Sequence, residues 1–98
     1  MDMLFDKRKE SRFNTDHKVT LFSKNNEYDT HFINVSNEGV CVKGKFKDRK
    51  MYLNFFDELQ NTLITLELKR IRYTENETGY LIKKQSKAYK VFVYNLAS

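Results

Sequence analysis

Thr62-Leu63-Ile64-Thr65-Leu66-Glu67-Leu68-Lys69-Arg70-Ile71-Arg72-Tyr73-Thr74 is the stretch that decides the architecture. Ile64, Leu66 and Leu68 alternate with Thr65 and Glu67, and a period of two belongs to a strand with one buried face. The apolar face then slips phase to Ile71 and Tyr73 around Lys69-Arg70, as an inserted residue in a β-bulge would cause. A strand this long needs partners on both edges, so the flanking sequence is expected to supply further strands.

On the C-terminal side, Glu75-Asn76-Glu77 is turn chemistry and Thr78 to Lys84 forms the returning strand. On the N-terminal side, Asp57 to Asn61 turns the chain. Before it, Met51 to Phe56 fits either a strand or one turn of helix. Tyr52, Leu53, Phe55 and Phe56 are good strand formers, which favours the strand. Lys47 to Lys50 is a solvated turn. Three more strands precede it, at His17 to Ser23, Tyr28 to Ser36 and Gly39 to Phe46. Within the second, Ile33 and Val35 are expected to face inward and Asn34 and Ser36 outward.

The tail fits two descriptions. Val91-Phe92-Val93-Tyr94 is strand-like, whereas Tyr89, Phe92, Val93 and Leu96 make one helical face. Ser86 as a cap, Ala88 and Ala97 at the ends and no Pro or Gly favour a helix over about 87–97. The expected fold is therefore mainly β: a small six-stranded antiparallel β-barrel with a C-terminal α-helix. Closing the sheet hides edges that a chain of 98 residues could not otherwise cover. Residues 1–12 form a charged lead-in, expected as a flexible arm, ahead of a single domain at 13–98.

Composition narrows the function. Eighteen Lys and Arg against 13 Asp and Glu give a formal charge of +5, which favours anionic partners. The single cysteine, Cys41, excludes an intramolecular disulfide and argues against a Cys-based metal site. Its setting, Val40-Cys41-Val42, suits a small buried hydrophobe. His17 and His31 lack a carboxylate or Cys cluster at metal spacing and are expected on a strand surface. No Ser/His/Asp or Cys/His arrangement and no Gly-rich phosphate loop is present, so catalysis and a bound cofactor are not expected. No run approaches the ~18 apolar residues of a membrane span. The N-terminus lacks the basic and apolar regions of a signal peptide, which makes the cytoplasm the expected location.

Two polar motifs carry the binding chemistry. Arg8-Lys9-Glu10-Ser11-Arg12 places two arginines four apart, and the planar guanidinium fork pairs with phosphate and with the guanine O6/N7 edge. Lys7 and Lys9 add positive potential. Asn34-Val35-Ser36-Asn37-Glu38-Gly39 offers an amide, a hydroxyl and a glycine. Asn34 and Ser36 could read a purine edge, and Gly39 would permit positive φ and close approach of a ligand.

In this order the motifs read RxxxR and [D/N]xSxxG, and the chain resembles the PilZ-domain family over about residues 7 to 96. That resemblance implies a bacterial second-messenger receptor in which the barrel's outer face and the N-terminal arm hold cyclic di-GMP. It implies that Arg8 and Arg12 contact phosphates and guanine while Asn34, Ser36 and Gly39 line the guanine site. Lys7 and Lys9 are further contacts; Lys7 stands where many members have another Arg, keeping charge but losing the fork. A receptor of one domain would signal through an unidentified protein partner, the arm closing over the ligand as the switch.

Two alternatives accompany this expectation. One is an adaptor of the same fold that binds protein without a ligand. The other is a small nucleic-acid-binding barrel, which would need Tyr52, Tyr73 and Tyr80 exposed together for base stacking. Lys69-Arg70-Ile71-Arg72 and Lys83, Lys84, Lys87 and Lys90 form a further basic surface, read as solvated strand and helix faces.

Overall fold

The elements run β1 (Phe13–Asn14), β2 (Lys18–Phe22), β3 (Glu27–Val35), β4 (Gly39–Lys43), β5 (Lys50–Asp57), β6 (Thr62–Tyr73), β7 (Glu77–Ile82) and α1 (Lys87–Ala97). They come from a computed structural model, which describes residues 11–84 and 86–98. All pairings are antiparallel, in the order β1-β3-β2-β5-β6-β7-β4, and β4 returns to pair with β3. Strands β2 to β7 therefore close a six-stranded barrel, with β1 as an extra strand outside the ring.

The expected strands are all present, and three details differ for physical reasons. First, β1 exists because Phe13 and Asn14 pair with Val35 and Asn34, a tertiary contact that two residues cannot announce by alternation. Second, β4 stops at Lys43 rather than Phe46, since Gly44 takes φ +108° and turns the chain. Third, the bulge in β6 falls between Arg70 and Arg72, leaving Ile71 as the extra residue. The phase slip read from the sequence puts Ile71 on the apolar face, yet it points to solvent, 55% exposed.

A second bulge, in β3 between Phe32 and Asn34, takes Ile33 out of the expected inward set, while Val35 stays inward as expected. Phe32 and Val35 are fully buried while Ile33, the inserted residue, is only half-buried. The inward period of two is broken at that point.

Helix α1 plugs one end of the barrel. Ser86 caps it, its Oγ accepting the Tyr89 N–H at 3.2 Å. Tyr89, Phe92 and Val93 are buried and Leu96 packs against the core, which is the face the sequence periodicity picks out. Phe92 meets Phe55 edge-on at 4.7 Å between ring centroids, and His17 at 5.0 Å. His17 is thus half-buried against the helix instead of standing on an open strand surface. Each such large side chain stabilises the fold by about 1.5–3 kcal/mol through burial. Gln60 anchors the β5–β6 turn to the helix, donating to buried Asp57 at 2.6 Å and to the Ala88 carbonyl at 2.9 Å. Among the described residues, no helix is long and apolar enough to cross a membrane.

Candidate functional site

The turn Ser36 to Gly39 joins β3 to β4, and its geometry separates the motif residues into two groups. Ser36 is fully buried, not outward-facing as the strand period suggests. The bulge at Ile33 and the end of β3 at Val35 put it below the surface. Its Oγ accepts the Gly39 N–H at 3.1 Å, and its own N–H donates to the Gly39 carbonyl at 2.9 Å. Tyr89 of α1 reaches across and donates its hydroxyl to the Ser36 carbonyl at 2.6 Å. Ser36 thereby fixes the turn.

Gly39 is required for a different reason from the one its sequence context suggests. Among the described residues, the glycine with positive φ is Gly44, not Gly39. A Cβ added at Gly39 would lie 2.9 Å from the backbone oxygen of Tyr80 in β7. The glycine lets β4 and β7 approach at the mouth of the site.

Asn34 is half-buried, with its side chain on the outer face. Pairing of β1 with β3 brings the chain back along Asn34, and Arg12 Nη1 donates to Asn34 Oδ1 at 2.7 Å. The two motifs, 22 positions apart, therefore touch. A guanidinium only donates, so Asn34 presents its carbonyl oxygen to Arg12, and its NH₂ is the donor end of the amide. Arg8, Lys7 and Lys9 lie outside the described residues.

Strand register extends this surface beyond the motifs. Asn14, Asn34, Cys41, Gly79 and Arg72 are directly opposite one another across β1, β3, β4, β7 and β6. Residues so paired share one face, and the inward residues Val40, Val42, Tyr80 and Ile82 show that this face is the outer one. Cys41 points outward yet is only 1% exposed. Its thiol donates to Glu77 Oε1 at 2.7 Å. Burial first, then the Glu77 hydrogen bond and charge, push the Cys41 pKa up to about 12, against the opposing pull of Arg72 and Arg12. Burial and the Glu77 hydrogen bond hold the thiol protonated at neutral pH, the form that is weak as a nucleophile and as a metal ligand.

Cys41, Glu77, Gly79 and Arg72 are the residues that sequence motifs missed. A signal existed: counting back from the Glu75-Asn76 turn sets Arg72 opposite Gly79, and a glycine inside a strand marks close approach of another group. The bulge at Ile71 lies beyond Arg72 on this count and shifts only the pairs farther from the turn, so a count from the other end of β6 misses Gly79 by one residue.

Other features carry less. A groove of about 660 Å³ runs between the motif turn and α1, lined by Ser11, Phe13, Asn37, Glu38, Lys90 and Tyr94, and it excludes the Asn34 row. Among the described residues, no three His, Cys, Asp or Glu side chains gather as a metal site. Lys69 stands exposed opposite Lys50, and Arg70 lies over the Tyr73 ring at 4.7 Å. The basic run 69–72 is thus divided between surfaces, only Arg72 entering the outer row. Tyr52 and Tyr73 are about two-fifths exposed, but Tyr80 is 1% exposed.

No protein-family model and no curated protein sequence matches the chain. Several solved structures share its fold. The Bacillus subtilis inhibitor of motility, MotI/DgrA, superimposes with a TM-score of 0.74 at 14% identity, covering 93% of this chain. This chain spans about half of that protein, 49% of its length. The Legionella uncharacterized protein Lpg0364 superimposes with a TM-score of 0.60 at 18% identity, covering 87% of this chain and 89% of the other.

Proposed function

We propose that this chain is a PilZ-like receptor for cyclic di-GMP that acts through a protein partner. The observation that carries the proposal is the hydrogen bond from Arg12 to Asn34, which unites RxxxR with NxSxxG on the outer face of a closed barrel. The fold shared with an inhibitor of motility supports a regulatory role.

In this reading Arg8 and Arg12, with Lys7 and Lys9, bind the ligand's phosphates and a guanine edge through charge-assisted hydrogen bonds. Asn34 donates its amide NH₂ to a guanine acceptor. Ser36 and Gly39 act by holding the turn against Tyr89 and β7. The bound ligand alters the surface offered to the partner, and no catalytic step is involved. A base-stacking nucleic-acid surface is disfavoured by the burial of Tyr80.

Calorimetric titration with cyclic di-GMP tests the proposal. Micromolar or tighter binding is expected, weakened about tenfold or more in Arg8→Ala and in Arg12→Ala. Absence of heat together with an unchanged melting temperature in excess ligand would sink it.

A further inference from the structure

Resting on the receptor reading above, we infer that Arg72 is a further ligand-contacting residue, laid as a platform across Gly79 on the same outer face. Three observations carry this. The first is register: Arg72 and Gly79 are direct partners, and Gly79 is the direct partner of Cys41, itself opposite Asn34. Arg72 therefore belongs to the row that Arg12 and Asn34 open.

The second is conformation. A Cβ added at Gly79 would meet Arg72 Cζ at 3.3 Å and Cγ and Nη1 at 3.4 Å. The side chain lies folded over the glycine from its stem to its guanidinium instead of extending into water, while the residue as a whole stays exposed. A side chain at 79 would press on it, since these contacts are tighter than ordinary van der Waals distance. A guanidinium lying flat on a sheet leaves its other face for a planar base, and its edge for phosphate.

The third is electrostatic. Arg72 and Arg12 both act on the Cys41 thiol, which sits between them in the row. Gly79 is two strands from Asn34, about 10 Å at the usual strand spacing. The face thus carries two guanidinium groups on either side of Cys41 and Gly79, and their charge outweighs the single Glu77 carboxylate bonded to the thiol. The fork that Lys7 lacks in sequence is available from Arg72.

Calorimetry with cyclic di-GMP on the wild-type chain, Arg72→Ala, Arg72→Lys and, as a remote control, Lys24→Ala on the β2–β3 turn tests the inference. Arg72→Ala is expected to weaken binding about tenfold or more, with the far-UV spectrum and melting temperature unchanged. Arg72→Lys keeps the charge without the plane and is expected to recover only a minor part of the loss. Lys24→Ala binds as wild type. Full affinity in Arg72→Ala, with wild-type binding intact, overturns the inference and leaves the receptor reading standing. Full affinity in Arg72→Lys overturns the platform, showing that charge alone suffices. A wild-type chain that gives no heat overturns both.

Discussion

Arg12 Nη1 and Asn34 Oδ1 lie 2.7 Å apart, joining the two polar motifs at the outer face of the barrel. The bond is on the surface, where water competes, so it contributes little to folding. Arg12→Ala and Asn34→Ala are each expected to change stability by under about 1 kcal/mol. Under the proposed function each weakens cyclic di-GMP binding about tenfold or more. Because the residues act as a pair, the double variant loses less than the product of the single losses. A double-mutant cycle by calorimetry measures that coupling, and strictly multiplicative losses would show that the pair is independent.

Two buried tyrosines have opposite hydrogen-bonding fates. Tyr89 donates to the Ser36 carbonyl at 2.6 Å, while the Tyr80 hydroxyl is buried with no partner among the described residues. Burial also raises the Tyr80 pKa, keeping the hydroxyl neutral. Tyr89→Phe strands a buried carbonyl group and is expected to cost about 1–2 kcal/mol. That is roughly 4–16 °C in melting temperature for a domain of this size. Tyr80→Phe removes an unpaired hydroxyl and is expected to be neutral or stabilising. Paired thermal melts check both signs, and equal losses would contradict the assignment.

Cys41 makes stability depend on alkaline pH. Its folded pKa is raised from 9.0 to about 12. The folded state therefore holds the proton more tightly than the unfolded chain does. This contribution is fully present below pH 9.0 and is lost progressively as pH rises toward about 12. Cys41→Ala is expected to lose less stability than wild type across that window, measured by urea unfolding at several pH values. At neutral pH the wild-type thiol should resist alkylation under native conditions and react once unfolded. Rapid native labelling would contradict its burial beneath Glu77.

The sequence by itself determined the strand count of the barrel, the helix and its buried face, and the residue types able to bind an anionic purine ligand. Alternation in β6 and the spacing of Tyr89, Phe92, Val93 and Leu96 are local, and local periodicity is what a chain writes openly. Three things were decided only by tertiary structure. The bulges at Ile33 and Ile71 took those two side chains off the inward face, because an inserted residue is left without a partner in the ladder. The close approach of β4 to β7 set the need for glycine at position 39, a contact with Tyr80 that no local pattern contains. Arg72 reached the row of Asn34 only through the register of four successive strands, an arrangement fixed by closure of the sheet.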